Sequence, residues 1–395
     1  MVGNLRICST LYRAEMEADY VQVLEGLARR GHTVHTLLQV PTTTWNPHIP
    51  SLGISHAREL FKIDRLSVFN PLSLKAAKCI RQHSVDVVYA TGTRIGEGLV
   101  AGILTGRPVL CDVRNPWSVQ WKDHRQSMSL KTFVGYNVRR IRFLTEERLI
   151  HRAGRIVAYS HGIKKWLTVE HGLDEGKITV IPPHVDVTLF QPDGDPSTVR
   201  SRYGLEDSFV VMYVGAFTYM RGMDVLVEAL HMTRSAVGDV KLMLVGPLPP
   251  GIAPYTRALR AKIHALGLDG EVVFTGYVPF QEVPQYIAAA DVCVVPHRRN
   301  FTYEISPPVK ILEYMASQKP IVTTDVGIKD FVVHGETGLV VEPENPSAMA
   351  EAIIQLLKSP SLALGIAKKA RRFVVENLRE EMMVDKFEKV LCSLI

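Results

Sequence analysis

The sequence predicts an α/β protein with two domains, each built on a parallel β-sheet. Short apolar runs of strand length alternate with helix-length segments along nearly the whole chain, which is the pattern of parallel strands joined by helical crossovers. One stretch rich in turn-forming residues, from Gln191 to Ser197, interrupts this pattern. At 395 residues the chain also exceeds the size of one ordinary hydrophobic core. We therefore place a domain boundary in that stretch.

Six buried strands are predicted in the first half. After the first strand comes a helix that Gly31 ends just before the second strand, which makes a βαβ unit. The predicted strands are Leu5–Ser9, Thr33–Leu38, Val85–Tyr89, Pro108–Val113, Arg155–Ser160 and Ile178–Ile181. Further helices are expected near Leu72–His83, Ile95–Leu104 and His161–His171. These elements define an N-terminal domain over residues 1–188.

Strands and helices alternate afresh after a linker that we place at residues 189–206. The predicted strands of the second half are Phe209–Val214, Val240–Val245, Glu271–Thr275, Asp291–Val295, Pro320–Thr323 and Gly338–Val341. They predict a second parallel-sheet domain over residues 207–378. The segment 379–395 follows the complete sheet, and its amphipathic helix, expected over Met382–Leu394, has an apolar face that needs a partner.

Cysteine usage and hydropathy indicate the compartment. The five cysteines stand singly and form no CxxC pair, so the sequence predicts neither a disulfide framework nor a zinc site. The chain begins without a charged-then-apolar leader, and no apolar run approaches the ~18 residues of a membrane span. We expect a cytoplasmic protein, with peripheral attachment to the inner face of the membrane as a further option.

Basic residues concentrate in the first half. Residues 1–190 hold 25 Lys and Arg against 16 Asp and Glu, whereas residues 191–395 hold 21 against 24. The basic and apolar segment Leu130–Ala153 would suit a helix lying on an anionic membrane, although a solvated outer helix has the same composition. No basic run with interleaved aromatic residues points to nucleic acid. An anionic lipid surface or a phosphorylated acceptor fits the charge better.

One stretch of the second half predicts an anion site. Ser306, followed by two prolines, has the composition of a helix start, because serine caps free N–H groups and proline has a preset φ. We expect this helix over Pro307–Ser317, with the positive end of its dipole at the first turn. The N–H groups nearest to a bound anion would then be those of Val309, Lys310 and Ile311.

Two side chains of that helix predict that the site binds a whole nucleotide and not only a phosphate. Lys310 adds a mobile positive charge, and Glu313, one turn later on the same face, can accept two hydrogen bonds from vicinal hydroxyls. The alternative is an exposed ion pair between the two residues on an ordinary helix. The context of the rest of the chain favours the nucleotide.

The first predicted strand of the second half, Phe209–Val214, runs into Gly215, where a ligand can approach the backbone closely. Arg221 follows and can offer a forked donor to a diphosphate. The second strand, Val240–Val245, ends at Gly246. Such glycines can form the floor of a nucleotide pocket or simply make turns.

Taken together, these stretches resemble the family 4 glycosyltransferases (glycosyl transferases group 1) over nearly the whole chain. The motifs that carry the resemblance are Arg29-Arg30-Gly31-His32-Thr33-Val34, Val180-Ile181-Pro182, Tyr213-Val214-Gly215 with Arg221-Gly222, Gly276-Tyr277-Val278-Pro279, Pro308-Val309-Lys310 with Glu313-Tyr314-Met315-Ala316, and Gly335-Glu336-Thr337-Gly338-Leu339. The resemblance implies the GT-B fold, in which two Rossmann-like domains face each other across a cleft. The N-terminal domain would bind the acceptor, the C-terminal domain the nucleotide sugar, and the terminal helix would return to the N-terminal domain.

The family holds the diphosphate with a basic pair and the ribose with the second Glu of a Glu, seven residues, Glu motif. By resemblance, Arg221 is one member of the pair and Glu313 is the ribose Glu. The other Arg of the family is replaced here by Ala216, so Lys310 supplies the second charge. The acid nearest to the place of the motif's first Glu is Glu304, one position early, and it is the candidate for a contact near the sugar hydroxyls.

Asp112, Arg114 and Asn115 lie where a predicted strand of the first half ends, and the carboxyl ends of strands are the ligand positions of doubly wound sheets. The same residues could instead cap an ordinary loop. They resemble a run that some members of the family carry on the acceptor side.

The resemblance implies transfer of a sugar from a nucleoside diphosphate sugar to an acceptor hydroxyl, with retention, in polysaccharide or glycolipid synthesis. We expect no metal and no cofactor, because Arg221, Lys310 and the helix start can neutralise the departing diphosphate. Retention by double displacement needs a close carboxylate, for which Glu304 is the candidate; we prefer same-face attack within an ion pair. A nucleotide-sugar 2-epimerase is one alternative. A non-catalytic two-domain sugar-binding protein is another, but it would carry an export signal and lack a diphosphate cradle.

Overall fold

The computed structural model of the chain describes residues 4–11, 18–38, 71–92, 95–116, 144–247 and 253–395. It divides into two compact units, one formed by Met1–Pro183 with Glu380–Ile395 and the other by His184–Arg379. Each unit contains a six-stranded sheet whose neighbouring strands run parallel. The predicted fold class, α/β with two parallel-sheet domains, is confirmed.

The strands of the first unit are β1 (Arg6–Leu11), β2 (Thr33–Leu38), β3 (Val87–Thr91), β4 (Val109–Val113), β5 (Arg155–Ala158) and β6 (Ile178–Val180). The helices between them include α1 (Ala18–Arg29), α2 (Pro71–Gln82), α3 (Ile95–Thr105) and α4 (His161–Val169). The sheet order is β2-β1-β3-β4-β5-β6. Every residue of β3 and β4 is buried, as expected for central strands of a parallel sheet that is covered on both faces.

The second unit begins with helix α5 (Ser197–Tyr203). Its strands are β7 (Phe209–Val214), β8 (Val240–Val245), β9 (Val272–Gly276), β10 (Val292–Val295), β11 (Ile321–Thr324) and β12 (Leu339–Val341). Its later helices are α6 (Met223–Val237), α7 (Ala253–Ala265), α8 (Val283–Ala289), α9 (Phe301–Ile305), α10 (Lys310–Ala316), α11 (Pro346–Lys358) and α12 (Pro360–Asn377). The sheet order is β12-β11-β10-β7-β8-β9.

The predicted linker at residues 189–206 is corrected by this division. The first unit ends at Pro183, and the segment read as a linker contains α5 and belongs to the second unit. The acidic turn leads directly into α5, and the Asp195 carboxylate accepts the N–H of Ser197, the first residue of that helix, at 2.9 Å. Arg200 then fixes the helix to the unit, since its guanidinium lies 2.9 Å from the Asp291 carboxylate.

The terminal helix α13 (Glu380–Cys392) belongs to the first unit. It begins two residues before the expected start at Met382. Its buried face includes Met383, Val384 and Phe387, so the apolar side found in the sequence does have a partner. On its polar side, Arg30 at the end of α1 lies 2.7 Å from the Glu388 carboxylate.

Replacing Phe387 by alanine is expected to destabilise the first unit by about 3–5 kcal/mol, the range for deleting a large buried aromatic side chain. The Phe387 ring is buried and meets Tyr89 of β3 edge-on, with the ring centroids 5.9 Å apart. Hydrogen exchange in increasing urea, followed in peptides from residues 71–113, measures the loss. The exposed neighbour Lys386 provides the control Lys386→Ala, which should leave exchange unchanged. Faster exchange confined to residues 207–378 would contradict this packing.

Candidate functional site

The second sheet has a topological switch point between β7 and β10. From β7 the chain proceeds through β8 and β9 on one side and returns to the other side with β10, which pairs with β7. In open parallel sheets, ligands bind at such a crevice outside the carboxyl ends of the strands. The segment after β7 carries Gly215 and Arg221, and the segment after β10 leads to α9 and α10. The sheet order therefore brings the predicted diphosphate residues to the place where a ligand is expected.

Gly215 is the point at which the two predicted cations meet. A Cβ placed on Gly215 would lie 2.9 Å from Nη1 of Arg221 and 3.2 Å from Cε of Lys310. The residue also has a φ of 130°, a backbone conformation that side chains with a Cβ rarely adopt. Arg221 and Lys310, which are far apart in the sequence, thus flank one glycine.

Tyr213 contacts both cationic side chains. Its hydroxyl accepts a hydrogen bond from Nη1 of Arg221 at 3.2 Å and donates one to the carbonyl of Ala216 at 3.2 Å. The ammonium of Lys310 lies 5.2 Å from the centre of the Tyr213 ring. Within the described residues, the buried Nε of Arg221 has no hydrogen-bond partner. The guanidinium is therefore held in place with a donor still unused.

The electrostatics of this group favour an anion. The loss of water around Lys310, and then the positive charge of Arg221, lower the pKa of Lys310 well below its ordinary value, and Glu313 opposes this shift. Arg221 stays protonated, since its interaction with Tyr213 raises its pKa. An anion bound between the two side chains would offset their repulsion and favour the charged form of Lys310.

A second arginine fixes the turn that carries Arg221. Arg298 donates to both carboxylate oxygens of Asp224, at 2.8 and 2.7 Å, to Glu344 at 2.8 Å and to the carbonyl of Tyr219 at 2.7 Å. Its guanidinium also lies over the Tyr219 ring, 3.9 Å from the ring centre. Such forked, charge-assisted bonds are strong and directional, so Arg298 is a structural support for Arg221.

The prediction that Ser306 caps the start of a helix is wrong. The helix that starts nearby is α9, and its cap is Asn300, whose side chain accepts the Tyr303 N–H at 2.7 Å. Ser306 ends α9 instead, and its own N–H donates to the carbonyl of Thr302 at 2.9 Å. The proline at 307 explains the break, because a residue before proline is disfavoured in the helical region. Ser306 accordingly has extended backbone angles.

The next helix, α10, begins at Lys310 and not at the expected Pro307. Its cap residue is Val309, which makes no side-chain capping bond. The Ile311 N–H was expected to serve an anion, but it donates to the carbonyl of Pro308 at 3.1 Å. Of the three N–H groups expected to face an anion, that of Ile311 is thus engaged within the chain, and the Lys310 side chain is the cation that α10 contributes. Glu313 lies one turn further along and interacts with the Lys310 charge, as its spacing predicted.

Gly246 and Glu304 have different surroundings. A Cβ on Gly246 would lie 2.3 Å from the carbonyl oxygen of Gly215, so this glycine permits β8 to end directly beside the cationic pair. The Glu304 carboxylate is exposed and accepts from Arg299 at 2.9 Å, and Arg299 also binds Asp325 at 2.7 Å. Among the described contacts, Glu304 is thus a member of a surface ion-pair group and does not join the residues around Gly215.

His297 was not predicted from the sequence as a site residue. It lies two residues after β10, is 3% exposed, and neither ring nitrogen has a hydrogen-bond partner among the described residues. The ring stacks on Tyr303 with centroids 4.8 Å apart. Burial, followed by the charges of Lys310 and Arg221, lowers the pKa of His297. A polar residue just past a strand at the switch point was the available signal, but the sheet order is needed to recognise it.

The predicted acceptor residues are mostly buried in the first unit. Asp112 is fully buried in β4, and one of its oxygens accepts from the Tyr89 hydroxyl at 2.7 Å and from Arg114 at 3.2 Å. Arg114 in turn lies over the Tyr159 ring, 4.8 Å from its centre. Asn115 is exposed. Asp112 and Arg114 thus form a buried pair, and Asn115 is the member of the three that solvent reaches.

Two further observations concern metals and membranes. In the ranges that the structure covers, no cluster of three or more His, Cys, Asp or Glu has the arrangement of a metal site. No helix in those ranges is both long and apolar enough to cross a bilayer. Most of the basic segment Leu130–Ala153 lies outside the described residues.

Both halves of the chain match known protein families. Residues 18–189 match the model of Glycosyltransferase Family 4, and residues 208–359 match that of Glycosyl transferases group 1. The parallel-sheet architecture and the two basic side chains at the switch point of the second sheet agree with these matches. The chain belongs to the family 4, group 1 glycosyltransferases, as the sequence motifs indicated.

Similar proteins support the family and the fold. A GDP-mannose-dependent alpha-(1-6)-phosphatidylinositol monomannoside mannosyltransferase of Mycolicibacterium smegmatis is 33% identical over 201 residues, which are 50% of this chain and 51% of that protein. This chain thus spans about half the length of that relative. A glycosyltransferase from Rickettsia africae has a TM-score of 0.79 at 20% identity, with 99% of each chain covered. Anabaena Alr3699/HepE in complex with UDP-glucose has a TM-score of 0.77 at 21% identity, with 99% of this chain and 100% of that chain covered. These neighbours have the GT-B fold.

Proposed function

We propose that this glycosyltransferase uses a nucleoside diphosphate sugar as donor and transfers the sugar to an acceptor hydroxyl in polysaccharide or glycolipid synthesis. One observation supports the proposal above all others: Arg221 and Lys310 converge at Gly215, at the switch point of the second sheet. Two cations that flank a glycine with no side chain in the way suit the diphosphate of a donor. Glu313, near Lys310, is proposed to bind the ribose hydroxyls.

The proposed chemistry is stabilisation of the leaving group. Negative charge develops on the diphosphate as the bond to the sugar breaks, and Arg221 and Lys310 are already positioned to interact with it. We propose that these side chains suffice without a metal or a cofactor. The ion-pair partners of Glu304 make it a poor nucleophile, so we favour retention through same-face attack within an ion pair, with the leaving phosphate taking the acceptor proton. The exposed Asn115 is proposed to contact the acceptor, supported by the Asp112–Arg114 pair behind it.

The relatives suggest which donors and acceptors to examine first. The mycobacterial relative is named for GDP-mannose and a phosphatidylinositol monomannoside, and the Anabaena structure contains UDP-glucose. On this analogy we propose GDP-mannose or a UDP-sugar as donor and a lipid-linked or soluble saccharide as acceptor.

A screen of nucleotide sugars by thermal shift, followed by mass analysis of products with lipid-linked and soluble acceptors, tests the proposal. We expect one donor to raise the melting temperature and its sugar to appear on an acceptor, at the same rate with and without a metal chelator. Proton coupling at the anomeric carbon of the product should give the configuration of the donor. Conversion of the nucleotide sugar to its 2-epimer without any acceptor would contradict the proposal and favour an epimerase.

The charge of the first half supports a separate proposal of membrane attachment. We expect the chain to sediment with anionic vesicles through residues 130–153, because each basic residue near such a surface contributes about 1 kcal/mol. Binding should fall sharply in high salt, since exposed charges are screened, and on charge reversal of Arg139, Arg140 and Arg142. Vesicles of neutral lipid are the control. Equal recovery with neutral and anionic vesicles would remove the proposal.

A further inference from the structure

The buried side chain of His297 has ring nitrogens that form no hydrogen bond with the described residues. Its ring is 3% exposed, and neither nitrogen has a hydrogen-bond partner among the described residues. A buried polar group without a partner costs on the order of 1–3 kcal/mol, so most such groups in native proteins are paired. The backbone is firmly placed, because the His297 carbonyl accepts the Thr324 hydroxyl at 2.8 Å. The ring is therefore held in position with both of its nitrogens available to bind a ligand.

The charges that face this ring are mainly positive. Arg221 from the turn after β7 and Lys310 from α10 both act on it, and Tyr303 of α9 covers one face. The two arginines that follow His297 in the chain are each paired with carboxylates. Arg298 binds Asp224 and Glu344, and Arg299 binds Glu304 and Asp325. The unsatisfied imidazole thus shares its surroundings with the two cations proposed to hold the donor diphosphate.

We propose that His297 is a third nitrogen ligand of the donor diphosphate and that it takes up one proton from solvent when the donor binds. This inference rests on the proposed function, because the anion is the donor itself. Without the donor, burial and then the charges of Lys310 and Arg221 favour the neutral ring. With the donor bound, two phosphate charges lie between these cations and the ring, and protonation gives His297 a charge-assisted N–H donor to the anion. In the proton balance, neutral His297, one proton from solvent and the bound anion together give an imidazolium paired with the diphosphate.

The sign of the pH dependence follows from this linkage. Burial and the two cations hold the pKa of the free enzyme's His297 below its ordinary value, and the bound anion raises it. Donor affinity is then greatest below the pKa of the free form and falls as the pH rises through the pKa of the bound form. A single group changes the dissociation constant by at most about tenfold per pH unit in that window.

Isothermal titration calorimetry in two buffers of different ionisation enthalpy, HEPES and Tris, measures the proton uptake directly. The probes are UDP-glucose, GDP-mannose and ADP-glucose, whose diphosphate diesters do not themselves titrate near neutral pH. The wild-type protein should bind one of them with a heat that depends on the buffer, equivalent to a fraction of a proton rising towards one as the pH falls from 8 to 6. His297→Gln should bind the same probe more weakly and with a clearly smaller difference in heat between the buffers, because only the proton that the anion favours on Lys310 remains.

Two controls keep the result interpretable. His264→Gln alters a histidine that is 82% exposed and far along α7, and it should keep the full proton uptake. His297→Asn, with circular dichroism and melting temperature for both His297 variants, separates loss of the proton from loss of the fold. Wild-type binding with no buffer-dependent heat overturns the inference alone, as does undiminished uptake in both His297 variants, which would assign the proton to Lys310. Failure of the wild type to bind any nucleotide sugar overturns the proposed donor site as well.

Discussion

Arg221→Ala and Lys310→Ala are each expected to lower kcat by about 10²–10³, the loss found when one preorganised donor to a developing negative charge is removed. The two side chains flank Gly215 and are held there by Tyr213, so the site is formed before the donor binds. The KM for the donor should change less than kcat, because the charge on the diphosphate grows mainly in the transition state. Steady-state kinetics with the donor identified by thermal shift measures both quantities.

Matched variants separate this effect from a general loss of positive charge. Lys369→Ala and Arg372→Ala remove exposed cations from α12 and should leave kcat at the wild-type value. Glu313→Ala should raise the KM for the donor with a smaller effect on kcat, since ribose contacts are alike in the ground and transition states. Wild-type turnover in both Arg221→Ala and Lys310→Ala would mean that the pair is not the diphosphate site.

Gly222→Ala is expected to destabilise the second unit by about 2–4 kcal/mol, because it combines left-handed backbone strain with overpacking. Gly222 has a φ of 68°, and a Cβ there would lie 2.0 Å from the carbonyl oxygen of Pro296. The backbone must move at the junction between the turn of Arg221 and the end of β10. Activity should fall together with stability, which urea denaturation and a donor titration can follow in one preparation.

Gly204 is the natural control for this substitution. It has a φ of 63°, also left-handed, but a Cβ there would meet no atom within 4 Å. Gly204→Ala should therefore cost only the backbone strain, about 1 kcal/mol. Equal destabilisation by the two substitutions would show that the close approach to Pro296 does not matter.

Most of the fold could be predicted because buried parallel strands leave a strong signal in the sequence. The apolar runs Thr33–Leu38, Phe209–Val214 and Val240–Val245 match β2, β7 and β8 residue for residue. The linker was misread for a local reason. Asp195 and Ser197 have the composition of a loop, but here Ser197 begins a helix that Arg200 anchors to the rest of the unit.

The site could be predicted only where its residues carry their own chemistry. Arg221 and Lys310 were found from charge and motif, but their meeting point at Gly215 depends on three-dimensional placement. Ser306 was misassigned because both Asn300 and Ser306 can cap a helix, and only the backbone decides which of them does so. His297 gave no periodic or motif signal. Its importance follows from the pairing of β10 with β7, which sequence alone does not determine.

Hydrogen exchange with and without the bound nucleotide sugar tests the central claim most directly, because it locates the donor without any substitution. If the diphosphate lies between Arg221 and Lys310, donor binding should slow exchange in peptides covering residues 213–222 and 297–316. The region around Asp112 should respond to the donor much less. Protection confined to residues 87–116, with no change at 213–222 and 297–316, would contradict the account and place the donor on the first unit.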